Sequence, residues 1–134
     1  RPGREPSLIA VDTTILSALV LEGREPARTL LLRDRSWVAP RLWRTEFRGI
    51  LVGWMRGGRL TLEGALERMV LAVEVMEGGE HEVPWDEPLR LAVKGGISPA
   101  EGEFVALALG LGIPLYSDNA GLRTAFPGVV RRLG

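Results

Sequence analysis

The sequence predicts an α/β fold, with a short central parallel sheet flanked by helices on both faces. Short apolar runs alternate along the chain with helix-length amphipathic segments, the pattern of strands joined by crossover helices. The runs end in acidic or turn-forming residues, as Val11-Asp12 and Tyr116-Ser117-Asp118 do. Composition agrees. The chain has 134 residues, 46% of them hydrophobic and 6% aromatic, enough for one hydrophobic core and too apolar for a disordered chain.

In chain order, residues 1–7 are polar and proline-bearing and predict a flexible lead-in, leaving one domain over residues 8–134. Leu8–Val11 predicts a buried parallel strand ending at Asp12. Thr13–Leu21 and Pro26–Leu32 predict helices, separated by a turn over Glu22–Glu25. Trp37–Ala39 predicts a second strand, stopped by Pro40. From Leu42 to Met55 the apolar residues Trp43, Phe47, Ile50, Leu51 and Trp54 follow helical spacing up to Gly57-Gly58. Leu62–Met76 predicts a further helix, closed by Gly78-Gly79. Glu82–Pro84 predicts a third strand, and Glu87–Lys94 a helix. Ser98-Pro99-Ala100-Glu101 combines a serine cap, a proline at the first helical position and a glutamate at the third, opening a helix to Leu111. Pro114–Ser117 and Val129–Arg131 predict the last two strands.

Composition also excludes functions. With no cysteine, the chain has no disulfide, thiolate metal site or cysteine nucleophile, and a cytoplasmic location is expected. Its one histidine, His81, excludes histidine-cluster chemistry. No apolar run reaches membrane-spanning length, and no signal peptide is evident. Formal net charge is zero, so the overall field does not advertise a polyanionic partner. Lys94 is the sole lysine; the arginine bias fits a GC-rich genome, a hot habitat or bidentate phosphate recognition.

The candidate site is a series of acidic positions: Asp12, Glu46, Glu101 and the Asp118-Asn119 pair. Carboxylates at strand ends or on apolar helix faces cost desolvation energy unless paired or metal-bound, the signature of a divalent-cation site. Asp12 also suits the cap of the helix it precedes. Glu46 lies three residues after Trp43 and four before Ile50, within their stripe. A boundary glutamate reaching water or Arg41 would read the same way. Glu101 is open between two roles: a capping box would turn it back to Ser98, whereas Phe104, Val105 and Ala108 at helical spacing point it inward. Asp118 and Asn119 follow a strand beside Ser117, where turn and ligand readings both stand. Glu103 reads as solvated and His81 as a surface loop residue. Trp37, Trp43, Trp54 and Trp85 read as core, and Arg41, Arg44 and Arg48 as either phosphate contacts or a solvated face.

These residues resemble the motifs of PIN-domain ribonucleases, and within them the VapC-type toxins of toxin–antitoxin pairs. The opening matches in Val11-Asp12-Thr13-Thr14-Ile15-Leu16, and the middle in Pro40, Leu42 and Glu46. The strongest match is Glu101-Gly102-Glu103-Phe104-Val105-Ala106-Leu107-Ala108, followed by Gly112-Ile113-Pro114-Leu115. The resemblance spans nearly the whole chain and implies a PIN-like domain hydrolysing RNA phosphodiester bonds with Mg²⁺ or Mn²⁺. Asp12 and Glu46 would anchor the ion, Glu101 and Asp118 or Asn119 would complete its shell, and Thr13 and Ser117 would orient the ligands. It further implies a homodimer and a cognate antitoxin. Two positions depart from the family: Glu101 stands where aspartate is usual, and Asn119 aligns with the fourth acid. Those departures motivate a second expectation, a catalytically weakened binding module for antitoxin or RNA. A receiver-like signalling domain ranks last, because paired acids near the first strand and a late lysine are missing.

Overall fold

The computed structural model describes residues 8–134, so the expected lead-in over residues 1–7 lies outside the described residues. The elements run β1 (Leu8–Val11), α1 (Thr13–Val20), α2 (Glu25–Arg33), β2 (Ser36–Pro40), α3 (Trp43–Arg56), α4 (Leu62–Val75), β3 (Glu80–His81), α5 (Glu87–Gly95), α6 (Pro99–Leu111), β4 (Leu115–Tyr116), α7 (Ala120–Ala125) and β5 (Val130–Arg131). The strands form one five-stranded sheet in the order β3-β2-β1-β4-β5, and each adjacent pair is parallel. This is the α/β architecture the sequence predicts, a parallel sheet with helices on both faces.

Right-handed crossovers place α1–α4 on one face of this sheet and α5–α7 on the other. The helices pack accordingly: α1 meets α2, α3 and α4, and α5 meets α6. β1 sits at the centre because its last three residues are buried, while β3 at the edge is only half-buried. α6 lies across β1, β2 and β4 and buries Phe104 through Ala108. Trp37, Trp43, Phe47, Ile15 and Leu16 are the largest fully buried side chains of the core. None of the described helices is long and apolar enough to cross a membrane.

Three expectations need correction. The third strand is Glu80–His81, not Glu82–Pro84, so His81 belongs to a strand and not to a loop. Its place is set by Gly79, whose missing side chain lets the backbone press against the Trp37 carbonyl. Pro40 ends β2 from within, paired with His81 after the β1 ladder has stopped at Val38. α7 was not anticipated; it is six residues long, capped by Asn119 and ended before Pro127.

Candidate active site

β1 and β4 end side by side, and their carboxyl ends carry Asp12 and Ser117. Asp12 is buried, and its carboxylate does two jobs. Oδ1 caps α1, accepting from the Thr14 amide at 3.0 Å and the Thr14 hydroxyl at 2.5 Å. Oδ2 accepts from the Ser117 hydroxyl. The capping and site readings of Asp12 therefore coexist. Burial pushes its carboxyl up to about 6, against the opposing pull of the hydrogen bonds from Ser117 and Thr14.

Glu46 approaches from α3 and accepts from the Thr13 hydroxyl at 2.6 Å, so the residue after Asp12 fixes the second acid. Glu101 enters from the first turn of α6. Its Oε1 accepts from the Ser98 amide at 2.8 Å, and its own backbone amide donates to Ser98 Oγ at 3.0 Å, which makes the capping box. Its Oε2 accepts from Asn119 Nδ2 at 2.7 Å. Glu101 is thus both a cap and a wall of the site.

Asn119 caps α7 by accepting from the Leu122 amide at 3.2 Å, and its own amide donates to Ser117 Oγ at 3.0 Å. Asp118 is turned away. Its carboxylate is held by Arg24 at 2.6 Å while its amide donates to Thr14 Oγ1 at 2.9 Å. Of the two alternatives for the fourth position, Asn119 is the one that faces the acids.

Together Asp12, Thr13, Glu46, Glu101 and Asn119 line a cleft of about 470 Å³, with Ile50, Phe104 and Leu122 as its apolar walls. Among the described residues the ion pairs are Arg24–Asp118, Arg33–Asp34, Arg44–Glu80 and Arg90–Asp86, so no cation compensates Asp12, Glu46 or Glu101. Glu103, expected to be solvated, is half-buried. Burial first and the charge of Glu46 second push its carboxyl up. Its nearness to Glu46 joins two helices 57 positions apart in sequence, which no local pattern reveals. Arg44, a candidate phosphate contact, is engaged by Glu80 and stacks over Trp43. Thr14, which the motif contains but sequence reasoning gave no role, ties Asp12 to the Asp118 backbone.

The cleft offers carboxylate and hydroxyl oxygens, groups a hard divalent cation takes, while Asn119 turns its Nδ2 toward Glu101 and its Oδ1 caps α7. Among the described residues no three acidic or histidine side chains converge closely enough to cage an ion. A cation fitted to this cleft would therefore need water for part of its shell, as Mg²⁺ commonly does.

No protein-family model matches the sequence, and no curated protein matches it. Solved structures do. The PAE2754 protein of Pyrobaculum aerophilum superposes with a TM-score of 0.78 at 21% identity, covering 98% of this chain and 88% of that one. A chain of a toxin–antitoxin complex from Klebsiella pneumoniae superposes with a TM-score of 0.67 at 18% identity, covering 92% of this chain and 95% of its own. At these identities the likeness is one of fold.

Proposed function

We propose that this chain is a metal-dependent endoribonuclease of the PIN-domain kind, acting as the toxin of a toxin–antitoxin pair. The observation that carries the reading is the convergence of Asp12, Glu46 and Glu101 from three elements on one cleft without a compensating cation among the described residues. The fold shared with a chain of a toxin–antitoxin complex supports the toxin role.

When bound, Mg²⁺ or Mn²⁺ supplies charge stabilisation at the phosphate under attack and lowers the pKa of water. Asp12 and Glu46 would hold the ion, and Ser117, Thr14 and Thr13 keep these two carboxylates in place. Glu101 and Asn119, joined by a hydrogen bond, form the facing wall and orient water or phosphate there. No histidine, cysteine or lysine nucleophile is needed. The exposed Leu62, Leu66 and Val70 stripe of α4 offers an apolar face for a second copy or an antitoxin, and a strictly monomeric mass in solution would count against the dimer.

Cleavage of a mixed RNA pool by purified protein tests the reading, with Mn²⁺, Mg²⁺ or chelator. Cutting is expected with metal and not with chelator, and Asp12→Ala and Glu46→Gln should each lower it by roughly a hundredfold or more, as losing a group that acts on the transition state does. Undiminished cutting by both folded variants would sink it.

One observation favours a second reading, a binding module with weakened catalysis. Both Glu101 oxygens are already engaged, by Ser98 and Asn119. Failure of Mn²⁺ and Mg²⁺ to bind saturably at millimolar concentration would select it.

A further inference from the structure

Across the N-terminal turn of α6 from the acidic cleft lies a second concavity of about 490 Å³, formed between β3, the start of α3 and the approach to α5. Its lining includes Arg41, His81, Glu82, Trp85, Leu89 and Glu103. The two clefts share a wall. Pro99 opens onto this one and Glu101, two residues on, onto the acidic cleft. Glu103 lines this one and feels the charge of Glu46 in the other.

Trp85 sets this concavity apart. Trp37 and Trp43 are core residues, and the Arg59 guanidinium covers Trp54 at 4.1 Å. Trp85 is 88% exposed and has no aromatic or guanidinium partner among the described residues. The expectation that it belongs to the core does not hold. It stands in a bend just before α5, between Pro84 and the buried Pro88. Arg41, on the facing side, is exposed and makes no ion pair among the described residues. An open aromatic face and an exposed guanidinium lining one concavity are the pairing by which proteins hold single-stranded nucleic acid, one stacking on a base and the other meeting the backbone.

We propose that this concavity is a nucleobase subsite. An unpaired base of a single strand stacks on Trp85, Arg41 contacts an adjoining phosphate, and the strand runs on over α6 into the acidic cleft. Glu82 and Glu103 supply acceptors at the base edge, which favours bases carrying exocyclic amines, such as cytosine and adenine, over uracil, which has none. The subsite rests on the ribonuclease reading and names the part of the substrate that positions the scissile bond.

The test is fluorescence anisotropy with labelled, cleavage-resistant 2′-O-methyl oligonucleotides of cytidine, adenosine and uridine, in chelator. Binding is then read apart from catalysis. The oligocytidine and oligoadenosine strands should bind more tightly than oligouridine. Trp85→Ala should weaken them roughly five- to hundredfold, the range for losing one stacked base, and Trp85→Phe should recover part of the loss. Arg41→Gln should flatten the salt dependence by about one counterion. Equal binding by wild type and Trp85→Ala overturns the subsite, and if metal-dependent RNA cutting persists the ribonuclease reading stands without it. Trp85-dependent binding in a protein that never cuts RNA keeps the subsite and removes the nuclease. A Trp85→Ala protein with unchanged oligonucleotide binding but altered mass by light scattering would make this face a contact between copies, and the proposal would fall.

Discussion

Asp12 closes β1, caps α1 and accepts the Ser117 hydroxyl from the end of β4. Burial raises its pKa from 3.8 to about 6, so between those values the native protein holds a proton that the unfolded chain has released. Unfolding free energy must then fall as pH rises through that window. Below the window both states are protonated and the penalty vanishes; above it the penalty is complete, about 3 kcal/mol at roughly 1.4 kcal/mol per pH unit. Glu80 acts in the opposite sense, held below the usual carboxylate range chiefly by Arg44, so its contribution is lost only as pH falls past about 4.5 toward its lowered pKa. Urea unfolding of wild type and Asp12→Asn in chelator, from pH 4 to 7.5, separates the two groups. The difference between the proteins should shrink toward low pH, with Asp12→Asn gaining relative stability as pH rises. Parallel curves would mean that Asp12 titrates as an ordinary surface aspartate. The residue most needed by the proposed chemistry is thus one whose ionised form costs the fold stability.

Among the elements, α6 shows most clearly what sequence can and cannot tell. Its Ser98–Glu101 box was legible because both partners lie within one turn, and Glu101's second role was legible as an inward-facing position. One carboxylate has two oxygens, so readings that competed on paper coexist. The Asp118–Asn119 choice was not legible, since Arg24, 94 positions away, decides it. β3 was misplaced for a similar reason. Glu80 is held by Trp43 Nε1 and Arg44 of α3, and a polar edge strand shows no hydrophobic pattern to betray it. Two glycines of α6 turn packing into a prediction of sign. A Cβ on Gly102 would sit 2.6 Å from the Pro88 carbonyl oxygen of α5, whereas one on Gly110 would meet nothing within 4 Å. Helix propensity alone favours alanine at either position by up to about 1 kcal/mol. Gly110→Ala should therefore stabilise the protein, and Gly102→Ala should destabilise it by about 1–3 kcal/mol as α5 is pushed away. Chemical denaturation checks both, and a stabilising Gly102→Ala would refute the close α5–α6 contact.

At the scale of the whole molecule, the strand order reverses direction between β1 and β4, and ligands of open parallel sheets bind beyond the carboxyl ends at such a point. Asp12 and Ser117 occupy those ends, and α3 and α6 bring Glu46 and Glu101 to them from opposite faces of the sheet. Formal net charge is zero, yet the acids of this cleft have no arginine partner among the described residues, so the charge imbalance is local. A cation that binds the native state and not the unfolded chain should relieve that imbalance and register as stability. At ten times its dissociation constant the gain is about 1.4 kcal/mol, worth roughly 3–6 °C in melting temperature for a domain of this size. Melting curves across a Mn²⁺ titration should rise and saturate, return with chelator, and flatten in Asp12→Asn and Glu46→Gln. Asp12→Asn should begin from a higher metal-free melting point near pH 7, because the buried charge is gone. A rise that both variants keep would put the cation elsewhere on the surface. No rise in the wild type would leave three uncompensated carboxylates without the ion that explains them, and would move the protein to the binding-module reading.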